Sequence, residues 1–181
     1  MSTIESKFEQ NPPLKTEKIF LGFQICVRIL ATASTLVATW MVLTSKQSTE
    51  IIGMKFDARY SYSPAYKFFA VANAIACVFS VLSLFLVFLL KRQCSNPANY
   101  FFLFLHDLFM ALLVLAGCAA ATAIGYVGKH GNDHSGWQPI CDHFGKFCKR
   151  ITNSVILSYL AVFFLLMLTI SSASKSRQIQ V

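Results

Sequence analysis

The sequence predicts an all-α membrane protein: a four-transmembrane-helix up-down bundle with cytoplasmic termini. Three observations lead there. Hydrophobic residues make up 55% of the 181-residue chain and charged residues 13%, with a mean hydropathy of +0.55, whereas soluble domains carry about 25% charged residues. Four apolar segments, 19–43, 66–90, 100–127 and 151–170, each reach the ~20 residues that cross a hydrocarbon core roughly 30 Å thick. The connections between them are short, which makes sequential helices antiparallel neighbours. A transmembrane barrel would instead need alternating segments of about ten residues, and this chain lacks them.

Residues 1–18, "MSTIESKFEQNPPLKTEK", are polar, contain Pro12-Pro13 and have no apolar core, so they read as a disordered cytoplasmic lead and not as a cleavable signal. The first helix, 19–43, then acts as its own insertion signal. It carries Arg28 and, near the same stripe, Thr32, Thr35 and Thr39. The first outer loop follows, and within it "MKFDARYSYS" reads as a short strand or an interfacial segment. The second helix, 66–90, has Ala72, Ala76 and Ser80 four apart. A tight connection, "KRQCSNPAN", leads into the third helix, 100–127, where Gly117, Ala121 and Gly125 also fall four apart. Such small-residue faces let helix backbones approach closely in lipid, within one bundle or at a seam between copies. The fourth helix spans 151–170, and residues 172–181 form a cytoplasmic tail too short to fold. The membrane domain is therefore 19–171. Trp40, Tyr60, Tyr62, Tyr66 and Tyr126 cluster at the outer helix ends, where an aromatic belt would sit.

Charge counts do not orient the chain. The side with the termini and Lys91-Arg92 holds seven Lys and Arg, and the opposite side holds eight, so the positive-inside rule is silent. Cysteine decides instead. Cys141 and Cys148 share the last loop, "WQPICDHFGKFCKR", and a disulfide there requires an oxidising, extracellular side. The formal charge of +8 is scattered over both faces with no single basic stripe, which points away from nucleic acid.

Two charges lie inside apolar segments. Arg28 comes ten residues after Lys18 and Asp107 eight after Asn99, so at 1.5 Å per residue both sit at depths of roughly 12–15 Å. A lone charge at mid-helix costs on the order of 3 kcal/mol. Because the first and third helices run in the same direction, Arg28 and Asp107 are predicted to face each other as an intramembrane ion pair, the arginine fork holding both carboxylate oxygens. The pair reads first as a clamp on helix register and second as part of a proton or ion relay. A relay needs further titratable groups, and only His106 is near, turned about 100° away on the helix.

The last loop also holds His130, His134, His143, Asp133 and Asp142. Their spacing with Cys141 and Cys148 matches no usual zinc pattern, so a disulfide is expected and a metal is not. Trp137 beside it reads as a packing anchor. No Asn-x-Ser/Thr acceptor occurs. Cys94 stands at the cytoplasmic end of the second helix, a position where palmitoylation is possible. No catalytic, phosphate-binding or cofactor pattern is present, so neither an enzyme nor a cofactor is expected.

Several of these segments together resemble a known family. Arg28, "VLTSKQST", "SPAYKFFAVANAIACVFSVLSL", Asp107 and "HSGWQPICDHFGKFC" resemble the plant CASP-like (Casparian strip membrane domain protein-like) proteins over residues 19–172, and most closely their first group. That family is related to the MARVEL-type tetraspan proteins. The resemblance implies a plasma-membrane protein that self-associates as a homodimer or higher oligomer and forms heteromers with related members. The founding members build a static platform that recruits cell-wall enzymes. Arg28 and Asp107 are the matching charged pair, and Cys141 and Cys148 the matching loop cysteines. The founding members' first-loop signature does not occur in "EIIGMKFDARYSYSPAYKFF", so the resemblance carries the scaffold class and not a Casparian-strip role. The function expected is a membrane scaffold; the alternative is a small transporter or channel with Arg28 and Asp107 lining a polar pathway.

Overall fold

A computed structural model describes residues 12–51, 54–90 and 97–180. The order of elements is α1 (Pro12–Leu43), β1 (Lys46–Ile51), β2 (Met54–Arg59), a 3-10 turn (Tyr60–Tyr62), α2 (Pro64–Leu90), α3 (Pro97–His130) and α4 (Gly145–Gln180). All four α-helices are long and apolar enough to cross a membrane. The connection 91–96, with Lys91, Arg92 and Cys94, lies outside the described residues.

The helices form a square. Each packs on its sequence neighbour and α1 closes against α4, while α1 with α3 and α2 with α4 occupy opposite corners. Contacts fix the directions. Gln24 near the start of α1 meets Ser172 near the end of α4, and Ser154 early in α4 donates to the Ala38 carbonyl late in α1. Arg28 reaches Ser83 late in α2, and Thr122 late in α3 meets Tyr159 early in α4. Every adjacent pair joined in this way is antiparallel, so the topology is up-down-up-down.

Burial follows the helical period. In α1 the inward positions are Gln24, Val27, Arg28, Ala31, Thr35, Ala38 and Val42, whereas Ile29, Leu36 and Trp40 face outward. This inverts the polarity of a soluble amphipathic helix: polar groups lie inside and large apolar side chains cover the surface, because the surroundings are hydrocarbon. Small residues decide where backbones touch. A Cβ added at Gly117 would sit 3.2 Å from Ala72 Cβ and 3.3 Å from Phe69 Cα, so the glycine of α3 is what lets α2 come this close.

Both terminal expectations need correction. α1 begins at Pro12, so residues 12–18 are helical and not a disordered lead; residues 1–11 lie outside the described residues. Proline is accepted in a first helical turn because that N–H has no intrahelical partner. α4 runs from Gly145 to Gln180 and not from 151 to 170, so residues 172–180 of the supposed tail are helix. Ser172 is fully buried and Ser176 nearly so, which places them on the inward face as a continuation of the bundle. The apolar run marked the membrane-crossing stretch, not the helix ends.

The loop between α1 and α2 is a hairpin. β1 and β2 pair antiparallel from Lys46↔Arg59 to Ile51↔Met54. The strand expected within "MKFDARYSYS" covers its first six residues, and Tyr60–Tyr62 forms the 3-10 turn. Its partner "KQSTEI" is polar and gave no apolar alternation to read. Among the aromatic residues assigned to an outer belt, Trp40, Tyr62 and Tyr126 are exposed, but Tyr66 is 8% exposed. Its ring meets Phe147 edge-on at 6.1 Å, so it belongs to the core.

Gly117→Leu is expected to force α2 and α3 apart and lower stability by about 1–3 kcal/mol, the usual cost of overpacking. Thermal unfolding of the detergent-solubilised protein measures the shift. Ala at this position should give a smaller loss than Leu.

Candidate functional site

The interior of the bundle is where the polar chemistry lies. Arg28 on α1 and Asp107 on α3 come from opposite corners and meet across the diagonal. Arg28 Nη1 donates to Asp107 Oδ1 at 3.0 Å and Nη2 to Oδ2 at 2.6 Å. This is the parallel two-bond geometry that an arginine fork makes with a carboxylate. A third helix joins through Ser83 on α2, whose hydroxyl accepts from Arg28 Nη1 at 2.7 Å and donates to the Ser80 carbonyl at 2.8 Å. Arg28 is 2% exposed and Asp107 1%. Arg28 Nε has no partner among the described residues.

His106 lies closer to this centre than helical geometry alone implied. Its Nδ1 is 3.3 Å from Asp107 Oδ1, and its ring lies 5.9 Å from that of Phe79 on α2. Adjacent residues point about 100° apart at the backbone, but the long imidazole arm turns back onto the shared carboxylate. A single histidine on the same carboxylate adds no second station, so the cluster is compact and not a chain.

A second brace crosses the other diagonal nearer the end that carries the hairpin. Ser158 on α4 donates to Asn73 Oδ1 on α2 at 2.9 Å, and Asn73 Nδ2 donates to the Phe69 carbonyl at 3.0 Å. Both side chains are fully buried. Gln24 and Ser172, 3.4 Å apart, close the opposite end. Sequence reasoning missed Ser83, Ser158 and Gln24 as members of this network, because serine and glutamine in apolar helices are read as isolated polar positions until the helices are arranged. One signal was available: Ser83 lies seven residues before the end of α2, close to the depth of Arg28.

At the end of the bundle opposite the start of α1, Cys141 and Cys148 form a disulfide with Cα atoms 5.7 Å apart. The loop it closes is tied down at several points. The backbone N–H groups of Ile140 and Cys141 both donate to the Gly128 carbonyl. Gly131 ends α3 at φ +71°, where an added Cβ would meet the Trp137 carbonyl oxygen at 2.6 Å. The hairpin docks on the start of α4: Gln47 Oε1 accepts from the Phe147 N–H at 2.9 Å, and Arg150 Nη1 donates to the Thr44 carbonyl at 3.0 Å. Trp137 holds the loop through its backbone, bridged to Asn132, while its side chain is 58% exposed. It is therefore not the buried packing anchor expected from its place beside the cysteines. Among the described residues no three of His, Cys, Asp or Glu gather to hold a metal, so His130, His134 and His143 form no common donor set. Cys26, Cys77 and Cys118 are free thiols; Cys94 lies outside the described residues.

A bidentate charge pair in the diagonal of a four-helix membrane bundle, with a disulfide-closed outer loop, can be compared with known proteins. The model for the Casparian strip membrane protein domain matches residues 18–164. The chain belongs to that family. Its CASP-type relatives include "CASP-like protein 1F1" of Vitis vinifera, 61% identical over all of this chain and 88% of the relative. "CASP-like protein 1F2" of Populus trichocarpa is 57% identical over the full length of both. A more distant relative, "CASP-like protein 1F1" of Arabidopsis thaliana, is 32% identical over 92% of this chain and 96% of its own length. No solved structure matches. Arg28, Asp107, Cys141 and Cys148 all lie within the matched CASP domain, and the plant CASP-like assignment made from the sequence stands.

Asp107→Asn leaves the Arg28 charge buried without its counter-charge, and removing one partner of a buried pair costs about 3–5 kcal/mol. Folded yield in the membrane should fall strongly, and the exchange Arg28→Asp with Asp107→Arg should recover it in part, since Ser83 and His106 are placed for the native polarity. Separately, replacing both Cys141 and Cys148 by Ser frees a loop of about eight residues, worth roughly 2–3 kcal/mol by loop-closure entropy. Limited proteolysis should then cut 132–144 while the four helices stay protected.

Proposed function

We propose that this chain is a non-enzymatic, multi-pass scaffold of the plasma membrane with cytoplasmic termini. It self-associates as a homodimer or higher oligomer, forms heteromers with related CASP-like proteins, and organises membrane platforms that recruit cell-wall-modifying proteins. The observation that carries this reading is the cross-helix bonding of the polar interior. Arg28, Asp107 and Ser83 are bonded to one another from three helices, and Asn73 is bonded to Ser158. Their hydrogen-bonding capacity is directed at holding helices together. The large apolar side chains, among them Ile29, Leu36, Phe85, Phe109 and Phe163, are turned outward, where lipid or another bundle can pack on them.

The orientation rests on the disulfide. It lies at the end of the bundle opposite the chain termini, and disulfides persist on the oxidising side of a membrane. A small transporter or channel using Arg28 and Asp107 would need these charges to line a polar pathway. A bidentate pair exposed by 2% and 1% lines none in this state, so the scaffold is the better reading.

Photobleaching of a fluorescent fusion in the plasma membrane tests it. Slow recovery confined to patches is expected for the unchanged protein, and loss of those patches is expected for Asp107→Asn. Fast and uniform recovery of a protein delivered normally to the surface would refute a static platform.

A further inference from the structure

The outer end of the bundle contains a cleft that the scaffold reading leaves unused. It has a volume of about 930 Å³ and lies between β2, the start of α2, the end of α3 and the start of α4. Small-molecule sites span roughly 300–1,000 Å³ and are mostly apolar, and this cleft falls in that range. Part of its wall, including Ile124, Gly125 and Ile151, is apolar and comes from α3 and α4. Elsewhere it is lined by the aromatic rings of Phe56, Tyr62 and Trp137, all well exposed.

The cleft is cationic at its rim. Lys129 and Lys149 line it, as does Arg59, which is paired with Asp57 at 3.3 Å. A smaller cavity of about 370 Å³ adjoins it around α4, sharing Phe147, Lys149 and Asn153. This second cavity is lined by Lys46, Lys146, Lys149 and Arg150, with no acidic residue among its walls. Four cationic side chains around one small cavity repel one another. An anion placed there removes that repulsion by direct contact with these side chains. A mostly apolar cleft beside an all-cationic cavity has the polarity profile of one kind of ligand.

We propose that the outer end of the bundle binds a single anionic lipid, its acyl chain in the apolar cleft and its phosphate between Lys149 and the adjoining basic cavity. The shared chemistry of the headgroup is a phosphate oxyanion; the neighbouring cleft is what selects a lipid over the free ion. The inference requires no particular oligomeric state and therefore does not depend on the scaffold reading. It also gives Lys149 a specific position, at the junction of the apolar and basic cavities.

Native mass spectrometry of the full-length protein, released from nanodiscs of mixed phosphatidylglycerol and phosphatidylcholine, tests this. The unchanged protein should retain one phosphatidylglycerol in preference to phosphatidylcholine. Lys149→Gln, an exposed change that should leave folding intact, should lower the preference about fivefold, and Lys149→Gln with Lys146→Gln by roughly 25-fold, from the usual net worth of one hydrogen bond to the headgroup per side chain. Thr152→Phe, filling the cleft from an exposed position on α4, should reduce retention of both lipids; an unchanged melting temperature would show that the loss is local. Equal retention of the two lipids by the unchanged protein, or an unaltered preference in Lys149→Gln, would overturn the proposal. So would displacement of bound phosphatidylglycerol by millimolar inorganic phosphate together with normal retention in Thr152→Phe, because the site would then be one for the free oxyanion.

Discussion

Hydrocarbon offers no hydrogen bonds, so every polar group carried into it must find its partner within the protein. The rest of this structure depends on that constraint, and its sharpest expression is the Arg28–Asp107 pair. An arginine and an aspartate that would each be costly alone are neutralised by two hydrogen bonds at 3.0 and 2.6 Å. Because they come from opposite corners of the square, the pair can form only when α1 and α3 are both in register and the helices between them are in place. The charge pair therefore requires that arrangement in order to form, and fixing register is the role best attested for buried polar groups in helical assemblies.

The same logic explains why the two diagonals are braced at different depths. Arg28, Asp107 and Ser83 tie α1, α3 and α2 together toward the end that carries the termini, and Ser158 with Asn73 ties α4 to α2 toward the outer end. Between adjacent helices the work passes to small residues. Gly117 against Ala72 and Phe69 sets the closest approach of α2 and α3. In lipid there is no hydrophobic drive to bring helices together, so close packing and hydrogen bonds must supply it.

At the outer end water returns and the construction changes. A polar hairpin, a disulfide and a glycine at φ +71° take over from helix packing. This cap is attached to the bundle chiefly through α4, by Gln47 on the Phe147 N–H and Arg150 on the Thr44 carbonyl. The cleft and the basic cavity lie at that junction, where surfaces suited to hydrocarbon and surfaces suited to water meet and neither packing scheme fills the space. The cleft thus lies at the seam between the two modes of construction of this bundle.

The sequence by itself determined four membrane helices, their alternating directions, the pairing of Arg28 with Asp107 by depth, and the cysteine pair of the last loop. Each of these follows from a property local to the chain or from a one-dimensional measure along it: apolar length, rise per residue, loop length. The family was legible for the same reason, in short quoted segments. Only the tertiary structure decided that α1 starts at Pro12 and that α4 continues to Gln180, the latter because α4 beyond its apolar run is held by packing such as that of Ser172 and not by hydropathy. It also decided that Ser83, Asn73 and Ser158 complete the polar interior, that His106 turns back onto Asp107, and that "KQSTEI" is a strand. These depend on which faces of separate segments meet, and that is fixed by the three-dimensional arrangement of the helices rather than by any spacing within one of them.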